Sequence, residues 1–180
     1  MDEAGLARLA SKGNSDAFGK LVEQYTPSAR RVARAVLRDD DEADDAVQDG
    51  VLAAWKAIER FDPDRPFRPW LMRIVVNAAL DRRRRDKVRK TEAIPESAES
   101  HFVGPDRHTD AVIAGARIRE ALAQLPERQR IAVVLFDAEG YSHAEIAALL
   151  GVPEGTVRSY VFHGRRALRR SLGPIKEELR

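Results

Sequence analysis

The chain has 180 residues, 43% of them hydrophobic, no cysteine, and a net charge of +2 from 31 Lys and Arg against 29 Asp and Glu. That length suits one domain or two small ones with enough apolar content for a core. The lack of cysteine excludes a disulfide framework and cysteine-based metal sites, and it fits a reducing compartment. The acidic start Met1-Asp2-Glu3-Ala4 is no secretory signal, and no stretch approaches the roughly 20 apolar residues that span a bilayer. The expected location is therefore the cytoplasm, with no membrane attachment of its own.

Charge is segregated along the chain. Residues 1–90 carry a net +3, residues 91–112 a net −4 and residues 113–180 a net +3. Residues 39–49 hold seven acids and no base, whereas residues 82–90 hold seven bases and one acid. Such blocks imply surfaces with different partners, or simply well-solvated faces.

Almost every segment reads as helix. Residues 15–37 space Phe18, Leu21, Val22, Tyr25, Val32, Val36 and Leu37 at three- and four-residue intervals, with an interruption near Pro27. Residues 42–60 set Val47, Val51, Ala54, Trp55 and Ile58 on one face and Asp45, Gln48, Asp49 and Lys56 elsewhere. Residues 61–69 hold three prolines and read as a loop. A helix resumes over 70–88 through Trp70, Leu71, Ile74, Val75, Ala78 and Leu80. A net-acidic linker, expected to be flexible, spans about 91–110. Helices return at 111–124, with Ile113, Ile118, Ala121 and Leu122 inward, and at 127–138, behind Pro126. The fold class is all-α: two small helical domains, 1–90 and 111–175, joined by the linker.

The second domain carries the sharper signal. Ser142 opens a capping box with Glu145, Gly151 supplies the positive φ of a tight turn, and Pro153 enters a second helix. Ile146, Ala147 and Leu150 face that helix, and Val157, Val161 and Leu168 anchor it. Residues 158–170 then bring Arg158, Arg165, Arg166, Arg169 and Arg170 and no acid. A helix-turn-helix with an arginine-rich second helix suits the DNA major groove; the alternative is an ordinary helical hairpin with a basic surface. Thr156, Arg158, Ser159 and Tyr160 lie on the N-terminal half that reaches base edges, and Arg165 and Arg166 follow.

The first domain places Phe67 and Trp70 beside Arg65 and Arg68. Aromatic faces stack on unpaired bases and arginines hold phosphate, so this combination suits single-stranded nucleic acid. Asn77 lies two helical turns beyond Trp70 with an amide suited to a base edge, and Arg82, Arg83 and Arg84 continue along the backbone. The competing reading makes Phe67 and Trp70 core and the arginines solvated. The acidic stretch Asp44-Asp45-Ala46-Val47-Gln48-Asp49 repels DNA and needs a basic partner. A metal or acid–base site there is disfavoured: no histidine is near and adjacent carboxylates diverge around a helix. No metal and no cofactor are expected.

In this order, these motifs resemble the extracytoplasmic-function (ECF) sigma factors, small members of the bacterial sigma-70 family. The resemblance runs from Asp16-Ala17-Phe18 and Tyr25, through the acidic stretch with Ala54-Trp55, to Phe61-Asp62-Pro63 and Arg68-Pro69-Trp70-Leu71. It continues through Asn77-Ala78-Ala79-Leu80-Asp81 to Leu125-Pro126-Glu127-Arg128-Gln129-Arg130 and the helix-turn-helix. The chain departs from the family's basic pattern at Tyr160 and near Phe162 and His163.

The resemblance implies a non-enzymatic subunit that binds RNA polymerase core and directs initiation at particular promoters. Asp44, Asp45, Val47, Gln48 and Asp49 would meet the β′ clamp helices, with the β subunit also in contact. Arg65, Phe67, Arg68, Trp70, Asn77, Arg82, Arg83 and Arg84 would take the minus-10 DNA. Thr156, Arg158, Ser159, Tyr160, Arg165 and Arg166 would take the minus-35 DNA. The acidic linker would thread the polymerase's basic channels, and an anti-sigma protein would hold the factor in reserve. The rival readings are a stand-alone DNA-binding regulator using residues 113–170 and a metal-dependent hydrolase on the carboxylates.

Overall fold

The computed structural model describes residues 2–92 and 110–173, with side chains over 2–88 and 114–173. The described residues contain helices and no strand, and the chain divides into two compact units, Met1–Glu96 and Ser97–Arg180. Most of the expected linker, and with it the expectation of its mobility, lies outside the described residues.

In the first unit, four helices follow one another: α1 (Glu3–Ala10), α2 (Ser15–Leu37), α3 (Asp40–Ala57) and α4 (Phe67–Glu92), with a 3-10 turn at Ile58–Arg60. Each of the first three starts on a side-chain cap. Asp2 accepts from the Gly5 N–H, Asn14 from Ala17 and Asp39 from Glu42, at 2.8–2.9 Å. These caps satisfy amides that no preceding turn can reach.

Two boundaries differ from the sequence expectation. The interruption near Pro27 is absent: α2 runs through it. Pro27 is exposed, while Phe18 and Leu21 before it and Val32 and Val36 after it are buried. Packing of one continuous face outweighs the lost hydrogen bond. The loop ends three residues early, at 66, because Pro69 falls in the first turn of α4, where a missing N–H leaves no gap. Starting α4 at Phe67 puts Phe67, Leu71, Met72, Val75, Val76 and Ala79 on one fully buried face.

In the second unit, α5 (Asp110–Ala123) and α6 (Glu127–Val133) are followed by a π-helical turn at Val134–Ala138, then α7 (His143–Leu150) and α8 (Glu154–Leu172). Ile131, Leu135, Ile146, Val157 and Val161 form the core. Ile118 does not join it; 45% exposed, it points away from the core it was expected to enter. Ser142 and Glu145 complete the capping box, and Gly151 closes α7 at φ 65°.

Gly164 is where α8 crosses α6. A Cβ there would stand 2.5 Å from Val133 Cγ2 and 3.4 Å from the Gln129 carbonyl oxygen. Val133 is buried and stiff at χ1, so it yields poorly. Gly164→Ala is expected to lower the stability of this unit by about 1–2 kcal/mol. Overpacking costs about 1–3 kcal/mol, and alanine's helix propensity returns up to about 1. Gly155→Ala, on the same helix in open space, is the control. Urea melts in which both variants gain stability would refute the tight crossing.

Candidate nucleic-acid and polymerase interfaces

On α3, helical spacing places Asp45, Gln48, Asp49, Leu52 and Lys56 on one exposed stripe. Leu52 is 58% exposed among polar neighbours and was missed in the sequence; its only signal was a lone leucine on the hydrophilic face. Two expected members of this surface sit elsewhere. Val47 is 6% exposed, on the face that packs into the unit, so it cannot touch a partner. Asp44 is half-buried and paired with Arg30 Nε of α2 at 2.9 Å.

Arg82 of α4 reaches back to this stripe. Its guanidinium bonds Asp45 at 2.5 Å and Asp49 at 3.3 Å. Arg82, expected at the DNA, is in this structure paired with the acidic face of α3. The sequence gives no sign of this pairing across 33 and 37 positions.

The aromatic block divides in the same way. Phe67 is fully buried at the centre of a ring cluster, 5.5 Å from Trp70, 5.6 Å from Phe61, 6.2 Å from Phe18 and 6.3 Å from Tyr25 between centroids. It has no face to offer a base, and its assignment to DNA is corrected: Phe67 is core. Trp70 packs on Phe61 at 4.8 Å yet stays half-exposed at the helix surface.

Arg65 is exposed on the loop, with Asp62 3.4 Å away. Arg68 is half-buried. Asn77 is exposed two turns beyond Trp70, and Arg73 between them is exposed as well, a cation that sequence reading passed over. Arg83 is half-buried, and Arg84 is exposed and bonded to Asp81 at 2.6 Å. Phe61 and Phe67, both buried, thus anchor a short loop whose outer side leads onto Trp70, Arg73 and Asn77.

Burial pushes the Tyr25 hydroxyl up to about 12, reinforced by its hydrogen bond to Glu3 and that carboxylate's charge and opposed by Arg68. The phenol therefore remains a proton donor into the alkaline range, beyond that of a free tyrosine.

On α8, Arg158 and Ser159 are exposed in the N-terminal half, while Thr156 and Tyr160 are half-buried. The arginines are not without counter-charge, as the local sequence suggested. Glu154 bonds Arg158 at 2.5 Å, and Asp137, 28 positions upstream, holds Arg165 by its Nε at 2.9 and 3.1 Å and by a second nitrogen. That hydrogen bonding raises Arg165 above its ordinary value. Arg165 also lies 4.9 Å over the Phe136 ring, which stacks on His143 at 4.4 Å. Arg166, Arg169 and Arg170 remain exposed, and with Arg158 and the 62% exposed Phe162 they border an open groove of about 840 Å³. Among the described residues no cluster of His, Asp or Glu is placed to hold a metal, and no helix is long and apolar enough to cross a membrane.

Residues 21–89 match the family model for Sigma-70 region 2, and residues 115–168 match the one for Sigma-70, region 4. The ECF RNA polymerase sigma factor SigM of Mycobacterium tuberculosis is 41% identical over 171 residues, 95% of this chain and 85% of that protein. The chain belongs to the ECF sigma factors. As such it is an alternative sigma factor that directs transcription initiation, from a family of transcription regulators that binds RNA polymerase core and promoter DNA.

Among solved structures, this sigma factor is similar to CnrH in complex with the cytosolic domain of CnrY. Identity is 33%, the TM-score is 0.67, and 94% of this chain and 96% of that one are covered. It is also similar to the sigma factor RpoE in complex with the anti-sigma factor NepR from Bartonella quintana, at 25% identity and a TM-score of 0.69, covering 88% and 98%.

Proposed function

We propose that the two basic surfaces grip a promoter at two elements while the acidic stripe of α3 docks the factor on the polymerase. Asp45, Gln48, Asp49 and Leu52 meet the basic clamp helices of β′: two carboxylates set the register and Leu52 supplies apolar contact. The loop at 61–66, with Arg65, Trp70, Arg73 and Asn77, takes the unpaired minus-10 strand, and Arg83 and Arg84 follow its backbone. Thr156, Arg158, Ser159 and Tyr160 read the minus-35 duplex, while Arg166, Arg169 and Arg170 hold phosphates. Residues 1–90 and 111–175 act as the two working domains, joined by the acidic linker at 91–110, in the cytoplasm where polymerase is found. The structures of CnrH with CnrY and of RpoE with NepR support an anti-sigma protein as the partner that withholds this factor as well.

One observation carries the reading above all. Unit 1 separates an exposed acidic stripe on α3 from an exposed cationic and aromatic face at the start of α4. A stand-alone repressor needs only the second unit and leaves both surfaces idle.

The test is transcription in vitro with core polymerase and genomic DNA. New start sites sharing two upstream elements are expected. Sequence-specific duplex binding without polymerase association would favour the stand-alone regulator.

A further inference from the structure

α1 lies ahead of residue 21, where the region 2 match begins, so none of the functional assignments above involves it. It packs through Ala7 and Ala10, which are 1% and 0% exposed, and sends two side chains to a distant segment. Glu3 Oε1 accepts the main-chain N–H of Phe67 at 3.0 Å, across 64 positions of sequence, while Glu3 Oε2 accepts the Tyr25 hydroxyl. Arg8 Nη2 reaches Asp64 Oδ1 at 3.2 Å on the loop itself.

The first amides of a helix have no partner within it, and its N-terminus attracts negative charge. At α4 the preceding residue is Pro66, which has no side-chain acceptor. Glu3 fills that role from another helix, held in place by a phenol that stays protonated.

We propose that Glu3, locked by Tyr25, is a positioning residue for the strand-capturing loop: it fixes where α4 begins and so where Arg65 stands relative to Trp70 and Asn77. The loop is otherwise held by its own turn, with the Asp64 N–H donating to Asp62 Oδ1 at 3.1 Å and the Arg65 N–H to the Asp62 carbonyl at 3.0 Å, and by the buried rings of Phe61 and Phe67. The buried face of α4 sets the rotation of that helix, and Trp70 and Asn77 turn with it; the acceptor on the first amide fixes instead how the loop enters the helix. Arg8 and Asp64 are both largely exposed, so their pair adds little beyond orientation. This inference rests on the reading of the loop as the part that takes the minus-10 strand.

The experiment uses holoenzyme assembled from core polymerase and the full chain. It measures affinity for a fluorescent single strand carrying the non-template minus-10 sequence of a promoter mapped by transcription in vitro. Glu3→Ala is expected to weaken this binding about fivefold, the effect of losing one helix cap. Tyr25→Phe keeps the ring and loses the lock, and should weaken it less. Glu3→Gln keeps an acceptor for Phe67 and should restore most of the affinity.

Core binding and minus-35 duplex binding should not move, which a general loss of structure would not allow. Arg65→Ala and Trp70→Ala separate the two claims. If they leave strand binding unchanged, the reading of the loop is wrong and the inference falls with it. If they weaken it while Glu3→Ala and Tyr25→Phe do not, or if those two weaken core binding equally, the positioning role alone is overturned.

Discussion

Asp45→Arg is expected to weaken assembly with core polymerase by at least about 30-fold and to abolish promoter-directed transcription. Asp45 stands at the start of the exposed stripe on α3, its side chain 56% accessible, one turn ahead of Asp49 at 54%. Reversing a charge at an interface between an acidic and a basic helix places like charges together, which costs several kcal/mol, and about 2 kcal/mol already gives that fold-change.

Asp45 also bonds Arg82, so the substitution brings two arginines together within the free protein. Arg82→Ala separates these effects because it removes the internal partner and leaves the stripe fully acidic. Its core affinity should equal or slightly exceed that of the parent, since Asp45 and Asp49 no longer have to be drawn from an internal cation. Leu52→Ala should weaken assembly more modestly and with little dependence on salt, whereas the Asp45 effect should shrink as salt rises. Titration of labelled polymerase core, with circular dichroism on each variant, decides the matter. A normal core affinity for Asp45→Arg would remove α3 as the docking surface.

The helical architecture was legible because apolar residues recur at helical spacing and because the punctuation, Ser142, Gly151, Pro126 and Pro153, has local causes. What escaped the sequence depended on distant partners. Phe67 beside Arg65 and Arg68 has the composition of a base-stacking loop, and the same composition serves a ring turned inward. Only the start of α4 at 67, which aligns Phe67 with Leu71 and Val75, decides between them.

The family resemblance grouped Val47 with its acidic neighbours, whereas the helical spacing already set it with Ala54 and Ile58 on the apolar face, the side of α3 that is buried. Arg82 and Arg165 each pair with carboxylates from a different segment, contacts that counting charge in a local window does not show. Gly164 carried a signal that went unread: a glycine in mid-helix costs about 1 kcal/mol, and close approach of another helix is one reason to accept it.

Arg158→Ala should cost the holoenzyme about 1–3 kcal/mol at one base pair of the minus-35 element, or about 5–150-fold in affinity for the preferred promoter. The position of Arg158 decides this. It is on the first turns of α8, exposed, in the half of the second helix that enters the major groove, with Ser159 beside it. Arg169, near the other end, is exposed in the final turns.

The two should fail differently. Arg158→Ala should flatten the response to substitution at a single minus-35 position and leave other positions graded as before. Arg169→Ala should weaken every sequence alike and reduce the salt slope by about one ion. In the free protein Glu154 holds Arg158 one turn away, an exposed pair worth about 0.3–0.5 kcal/mol. Glu154→Gln should therefore tighten binding only slightly, by about twofold. The guanidinium's bidentate contact with a base outweighs the internal pair, so Glu154 orients the side chain without withholding it. Binding of holoenzyme to a set of promoters altered one minus-35 position at a time measures all three variants. A uniform loss for Arg158→Ala, indistinguishable from that for Arg169→Ala, would place Arg158 on phosphate and leave base recognition to Thr156, Ser159 and Tyr160.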